Sequence, residues 1–202
     1  MLEESIGKDS LVQRIELSRA AVISALLFVS PKPLTVETIA EATDSDIVTV
    51  EEILEEVLSL FKDDVHGFSL HEVAGGWQLR TSTLAADAVK RLIPPRGKKL
   101  SRAAAETLAV IAYKQPVERA EIESIRGVDA LPTLKTLLDG KLIRVVGRAE
   151  TAGTPALYGT TMTFLEKFGL KDLSDLPSGH ELEELLAEPG EEEALENESA
   201  SQ

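Results

Sequence analysis

Apolar residues follow a helical spacing in some stretches of this chain and a strand-like spacing in others. The changes between the two spacings divide the chain into helices and hairpins. The clearest example begins at Ser101, a residue type favoured at helix N-caps, which precedes an apolar run with helical spacing that ends before Pro116. Gly127 stops a second helix, and Pro132 suits the first turn of a third. The predicted elements are helices at 101–113 and 118–126, a third helix ending at Leu138, and strands at 142–146 and 156–160. Three helices followed by a hairpin predict a winged-helix domain.

The same pattern occurs earlier in the chain. Six residues stand 83 positions before identical residues of the later domain: Ser18, Arg19, Ala20, Ala21, Pro33 and Ile39 before Ser101, Arg102, Ala103, Ala104, Pro116 and Ile122. This internal repeat predicts a second domain of the same fold. Its remaining elements are a helix at 49–61, strands at 68–73 and 77–81 joined around Gly75-Gly76, and a closing helix at 84–93. Trp77 is predicted to cover the core from the wing.

The predicted fold class is therefore α+β, mainly helical, with two tandem winged-helix domains and a disordered acidic C-terminal tail. The predicted limits are a flexible N-terminus at 1–14, domains at 15–93 and 101–170, a linker at 94–100 and a tail at 171–202. Two prolines and a glycine favour the linker. Leu182, Leu185 and Leu186 could form a short amphipathic turn in the tail, but a solubilising role is favoured there, and removing 178–202 is predicted to leave fold and partner binding intact.

Charge is concentrated at the C-terminal end. The net charge of −14 falls mostly on residues 171–202, where one lysine faces eleven carboxylates. The rest of the chain is nearly balanced, without the basic excess that phosphate neutralisation requires. A basic cluster around the linker, Arg91 to Arg102, leaves weak phosphate contact open, although a solvated linker is the simpler interpretation.

The sequence contains no pattern typical of an enzyme. His71-Glu72 begins like a zinc-binding HExxH motif, but Gly75 stands where the second histidine is needed. There are no cysteines and no glycine-rich phosphate loops, and the paired glutamates lie on the polar face of a predicted helix. We therefore predict no catalytic, cofactor-binding or metal-binding residues, no cofactor, and no membrane span.

The predicted third helices favour a protein partner over DNA. A DNA-reading winged helix needs basic or amide side chains there, yet the first copy carries Glu51, Glu52, Glu55 and Glu56 and the second offers only Lys135. Both opening helices are apolar on nearly all sides, which predicts burial beyond what one small domain provides. A DNA-binding transcription regulator remains the main alternative, and a purely structural dimer is a third.

Three parts of the chain carry a resemblance. The runs ETLAVIAYKQPV, RAEIESIRGVD and LYGTT, together with the flanking sequence over residues 15–177, resemble the bacterial segregation and condensation protein B family. The segment ALPTLKTLL at 130–138 departs from the family, which usually has an Asp-Gly pair opening this helix.

That resemblance implies a function and partners. It implies a non-enzymatic homodimer, formed through the N-terminal domain, that binds the kleisin subunit called segregation and condensation protein A. Through the kleisin it would join an SMC ATPase in a condensin-like complex for chromosome condensation and partition, reaching DNA indirectly. The expected location is the cytoplasm, in association with the nucleoid.

Two residue sets are predicted to make the contacts. The dimer contact is placed at Ile23, Leu26 and Leu27, since the opening helix has more apolar surface than its domain can bury. The kleisin-binding set is Tyr113, Gln115, Pro116, Tyr158, Phe164 and Phe168. Tyrosine suits an interface because it joins an apolar ring to a polar tip. The alternative, that these residues are core, stays open.

Overall fold

The computed structural model describes residues 17–62, 66–94, 99–178 and 181. The predicted N-terminal segment 1–14, the centre of the linker and nearly all of the tail beyond Ser178 therefore lie outside the described residues. The chain divides into two compact units, chiefly at residues 96–97. Each unit has three helices followed by a hairpin, so the predicted fold class of tandem winged helices is confirmed.

The first unit begins with three helices that side chains cap at their N-termini. They are α1 (Arg19–Val29), α2 (Val36–Thr43) and α3 (Ile47–Leu60). Ser18, Thr35 and Asp46 each accept a hydrogen bond from a backbone N–H in the first turn. Such caps satisfy donors that have no partner within the helix. The helices bury a shared apolar core that includes Ile39 and Leu54.

The first hairpin pairs β1 (Phe68–Val73) with β2 (Gly76–Thr81), and its turn differs from the predicted one. Ala74 and Gly75 occupy the left-handed turn positions, with φ of 52° and 71°, instead of Gly75-Gly76. Gly76 serves another purpose: a Cβ there would lie 2.8 Å from the carbonyl oxygen of Leu34. Leu34 and Trp77 are paired by two backbone hydrogen bonds, and the Trp77 side chain packs on the core as predicted.

After this hairpin the unit ends with a 3₁₀ turn (Thr83–Ala85) and α4 (Ala86–Leu92), and none of their residues is buried.

The second unit repeats the plan with a larger sheet. Its elements are α5 (Arg102–Lys114), β3 (Val117–Glu118), α6 (Arg119–Arg126), α7 (Leu131–Asp139), β4 (Ile143–Arg148), β5 (Ala156–Thr160) and α8 (Met162–Phe168). The strands form an antiparallel sheet in the order β3-β5-β4, with Val117 opposite Tyr158. The strand β3 was not predicted, because two residues are too few for a periodic signal.

The segment after α8 is folded, which differs from the predicted start of the tail at residue 171. A 3₁₀ turn (Leu173–Asp175) follows, and the Asp172 carboxylate accepts from Ser174 N–H at 2.7 Å. Leu170 and Leu176 pack against the core of the second unit. These partly buried leucines bring 171–178 onto the unit despite its acidic composition, because their contact with the core removes apolar area from water.

Candidate polypeptide-binding groove

An apolar groove of about 170 Å³ lies in the second unit between α5, α8 and the segment that follows α8. Nine residues line it: Leu100, Ala105, Leu108, Ala109, Ala112, Tyr113, Phe164, Phe168 and Leu176. All are apolar except at the tyrosine hydroxyl. An exposed hollow of this chemistry suits an apolar side chain of a partner.

The helical repeat of α5 builds the floor and one rim of this groove. Ala105, Ala109 and Tyr113, spaced four residues apart, are exposed, whereas Leu108 and Ala112 are buried. Residues at this spacing share one face of a helix. Because two of the three rim residues are alanines, a second backbone can approach α5 closely along that face.

Two aromatic side chains stand at the groove. Tyr113 is 46% exposed and its hydroxyl donates to the carbonyl oxygen of Pro177 at 2.7 Å. Phe168 is 53% exposed, and its ring centroid lies 4.9 Å from that of the buried Phe164. Large half-exposed rings held by their neighbours are typical anchors of protein interfaces.

The structure therefore brings three of the six residues predicted to bind the kleisin, Tyr113, Phe164 and Phe168, to one groove, where Phe164 forms the floor. The other three lie outside it. Gln115 joins the end of α5 to β5, since its Oε1 accepts from Thr160 N–H at 2.8 Å and its Nε2 donates to Ala112 O at 3.1 Å. Pro116 is exposed, and Tyr158 is half-buried against the core.

Two of the residues predicted for the dimer contact are core residues. Ile23 and Leu27 are only 1% and 3% exposed, so their side chains pack inside their own unit. Leu26 is half-buried. The apolar surface at this helix lies at its C-terminal end, where Phe28 is 83% and Val29 is 74% exposed. A helix that is apolar nearly all round gives no sequence signal for which of its faces is buried, so the placement of the dimer contact on this helix stays a prediction.

A polar cluster around the buried Arg126 of the second unit was not predicted from the sequence. Arg126, whose side chain is 7% exposed, donates from Nη1 to Thr107 Oγ1 at 2.8 Å and from Nη2 to Glu106 Oε2 at 3.0 Å. Hydrogen bonds from Arg126 and Arg102 hold the pKa of the Glu106 carboxyl below its ordinary value. The cluster ties α6 to α5, which gives it a positional role.

The electrostatics of the third helices match the sequence analysis. All four glutamates of α3 are exposed, and α7 exposes Lys135 together with Asp139. A larger hollow of about 610 Å³ in the second unit is lined by Lys141, Arg144 and Gln115. The side chain of Gln115 is already hydrogen-bonded within the fold. Among the described residues there is no cluster of metal-binding side chains and no helix long and apolar enough to cross a membrane.

Comparison with known proteins places these features in a family. A family model described as "Segregation and condensation complex subunit ScpB" matches residues 21–179. Proteins called segregation and condensation protein B are 46% identical over 167 residues in Myxococcus xanthus and 48% identical over 168 residues in Syntrophotalea carbinolica. Each match covers 83% of this chain, but the chain spans about half (51%) of the first relative and 85% of the second.

A crystal structure of ScpB from Mycobacterium tuberculosis aligns at 36% identity over 77% of this chain and 99% of that one, with a TM-score of 0.36. Assignment to the family rests on the sequence matches, whose identities hold over most of the chain. The chain belongs to the family of the segregation and condensation complex subunit ScpB.

Proposed function

We propose that this chain is a non-enzymatic subunit of a condensin-like complex that acts in chromosome condensation and partition. In this role it dimerises through its first unit and holds the kleisin subunit in the groove of its second unit. The kleisin connects it to the SMC ATPase, which supplies ATP hydrolysis, so DNA is reached through the complex. The site of action is the nucleoid, within the cytoplasm.

The observation that carries kleisin binding is the exposed apolar groove with two half-exposed rings at its edge. Tyr113 and Phe168 expose about half of their surface next to a buried floor, and an isolated domain gains no stability from such exposure. A partner segment that covers the rings removes apolar area from water, at about 25 cal/mol per Å². An amphipathic helix is the form of partner that fits, because the groove runs along a helix.

The test is a pair of alanine substitutions with a matched control. Tyr113→Ala and Phe168→Ala are expected to weaken binding of a kleisin fragment at least tenfold each, the range of interface anchors. Ile125→Ala, which removes a 51% exposed side chain on α6 away from the groove, should leave the affinity unchanged. Isothermal calorimetry measures the affinity, and circular dichroism verifies that the variants fold. Unchanged affinity in folded Tyr113 and Phe168 variants would place the kleisin elsewhere.

The dimer contact is now proposed at the exposed end of α1, with Phe28 and Val29 as its centre. Phe28→Glu is expected to shift the chain toward monomer, because an unpaired charge at an apolar contact is costly. Leu84→Glu is the control, since Leu84 is equally exposed in the same unit but lies after the hairpin. Light scattering over a concentration series compares the molar mass of the Phe28→Glu and Leu84→Glu variants. A parent chain that is monomeric at high micromolar concentration would contradict this placement of the dimer contact.

The exposed glutamates of α3 argue against the alternative of a DNA-reading regulator. Like charge at the phosphates weakens approach of that helix to DNA. Sequence-dependent binding of the parent chain to short duplex DNA at physiological salt would support the regulator instead.

A further inference from the structure

The larger hollow of the second unit combines apolar walls with two cations. It has a volume of about 610 Å³ and is lined by residues of β4, of α8 and of the 3₁₀ turn that follows α8. Val146, Met162 and Leu173 line it and are 40–59% exposed, together with the buried Leu165. Exposed apolar side chains gathered at one hollow are typical of a contact surface.

Three other polar residues of the larger hollow are bonded within the fold. Gln115 Oε1 accepts from Thr160 N–H at 2.8 Å, and Thr161 Oγ1 donates to the carbonyl oxygen of Lys141 at 2.6 Å. Gly159 permits this arrangement, because a Cβ there would lie 2.9 Å from Gln115 Oε1. These bonds shape the hollow without the help of a ligand.

The two cations of the larger hollow, Lys141 and Arg144, have no such partners. Both residues are exposed, and among the residues that the structure describes their side chains form no ion pair and no hydrogen bond. Arg148, on the same strand as Arg144, differs because it donates to Thr154 O at 3.1 Å. A carboxylate of another molecule is the group that suits Lys141 and Arg144.

We infer that the larger hollow is a second subsite for the polypeptide that fills the groove, and that it takes a short extended segment in which an acidic residue adjoins an apolar one. The acidic residue pairs with Lys141 and Arg144, and the apolar residue covers Val146, Met162 and Leu173. A nucleic-acid backbone would use the cations but gain nothing from the apolar walls. This assignment rests on the proposed function.

The hollow and the groove are close enough for one chain to reach both. Leu165 lines the hollow and Phe164 lines the groove, and in the following segment Leu173 and Leu176 divide in the same way. The two sites therefore share α8, and a helix with its side chains is about 10–12 Å across. Three or four extended residues span that distance, at about 3.3–3.6 Å each. A partner anchored in the groove thus reaches the hollow with a few residues.

Met162 allows a direct test, because the chain contains only two methionines, Met1 and Met162. The full chain is prepared with ¹³C-labelled methionine methyl groups, and the Met162 signal is assigned by its absence from Met162→Leu. Addition of a kleisin fragment is expected to shift the Met162 signal. An unshifted signal when the fragment saturates the chain would overturn the assignment. So would a shift caused by short duplex DNA alone, or by a higher concentration of this chain without the fragment.

Charge reversal tests the two cations. Arg144→Glu is expected to weaken binding of the kleisin fragment about tenfold at low salt and less at high salt, since attraction becomes repulsion and both are screened. Lys135→Glu is the matched control, because Lys135 is exposed on α7 and does not line the hollow. Isothermal calorimetry at two salt concentrations measures the affinity, and circular dichroism verifies folding. Equal weakening by both variants would reveal only a long-range effect of charge and would overturn the assignment.

The groove and the hollow fail in different ways. If Tyr113→Ala and Phe168→Ala weaken binding but Arg144→Glu does not, the kleisin occupies the groove and the assignment of the hollow is wrong. If Arg144→Glu alone weakens binding, the hollow is supported as a kleisin site and the assignment of the groove is wrong.

Discussion

The two units share one plan but differ in what the helix after the wing does. Their third helices place equivalent leucines, Leu54 and Leu134, at 1% exposure, and their second helices place Ile39 and Ile122 at 0%. In the first unit, α4 contributes no buried residue. In the second, α8 contributes Phe164 and Leu165 to the same core cluster as Leu108 and Ala112 of α5.

This difference decides which surface each unit offers. In the first unit, α4 buries no side chain, and Phe28 and Val29 at the end of α1 are exposed to solvent. This exposed apolar end is suited to contact with another copy. With α8 beside it, α5 keeps only a strip exposed, and that strip becomes the rim of a narrow groove. One fold thus leaves an exposed apolar helix end in one unit and a groove in the other.

The first helices also differ in which face is buried. The buried residues Ala20, Ile23 and Leu27 of α1 have their counterparts 84 positions later, at Ala104, Thr107 and Ile111 of α5, although the serine caps are 83 apart. One extra residue turns the buried face by about 100° relative to the cap. It also brings the hydroxyl of Thr107 into a core position where the first unit has the apolar Ile23.

The largest expected effect tests whether the two cores are equivalent. Ile39→Ala and Ile122→Ala should each lower the free energy of unfolding by about 2–5 kcal/mol, since both side chains are fully buried. Hydrogen exchange measured by mass spectrometry should show the loss of protection in the unit that carries the substitution. If either variant lowered the protection from hydrogen exchange evenly in both units, the two cores would not unfold independently.

The next effect concerns the polar core of the second unit. Thr107→Val should cost about 1–3 kcal/mol, because Arg126 Nη1 then loses its buried acceptor. The matched control is Thr136→Val, which removes an exposed hydroxyl that bonds only Pro132 O in its own helix. Urea denaturation measures both. Equal costs would show that burial of the Arg126 contact is unimportant.

A smaller effect distinguishes the second helices. Thr35 caps α2 with its hydroxyl, whereas Glu118 at the start of α6 makes no side-chain cap bond. Thr35→Ala is therefore expected to destabilise its unit by about 1 kcal/mol, and Glu118→Ala by less than about 0.5 kcal/mol. Thermal unfolding of the two variants makes the comparison; a larger loss for Glu118→Ala would contradict it.

The smallest effect is in the response to acid. The pKa of Glu106 is lowered from its ordinary value of 4.5, mainly by the hydrogen bond from Arg126. The Glu106 carboxylate therefore stabilises the fold at pH values above 4.5, and this stabilisation is lost as the pH falls below 4.5. Hydrogen bonds from Thr49 lower the pKa of Asp46 in the first unit in the same way.

Glu106→Gln should therefore reduce the acid sensitivity of the second unit, measured as urea unfolding at about pH 6 and about pH 3.5. Added salt should weaken the contribution of Glu106 more than that of Asp46, since ion pairing is screened and the hydroxyl bonds are local. An unaltered pH response in the Gln variant would contradict the role given to Arg126.

Several elements could be predicted because their signals are local. Ser18 and Ser101 cap the first helices as predicted, and Gly127 ends α6 in the left-handed conformation, with φ of 69°. One detail could not be predicted. The turn of the first hairpin moved by one residue because Gly76 is needed beside Leu34, which lies some forty residues away in sequence.

By itself the sequence determined the repeat, most of the element types and the family resemblance, since caps, periodicity and runs such as LYGTT are properties of short segments. Only the tertiary structure decided which face of each apolar helix is buried, and therefore that Ile23 is core, that Phe28 is exposed and that Tyr113 and Phe168 line one groove. The physical reason is that an apolar helix can pack on any of its sides. The choice among them depends on neighbours that are distant in the chain.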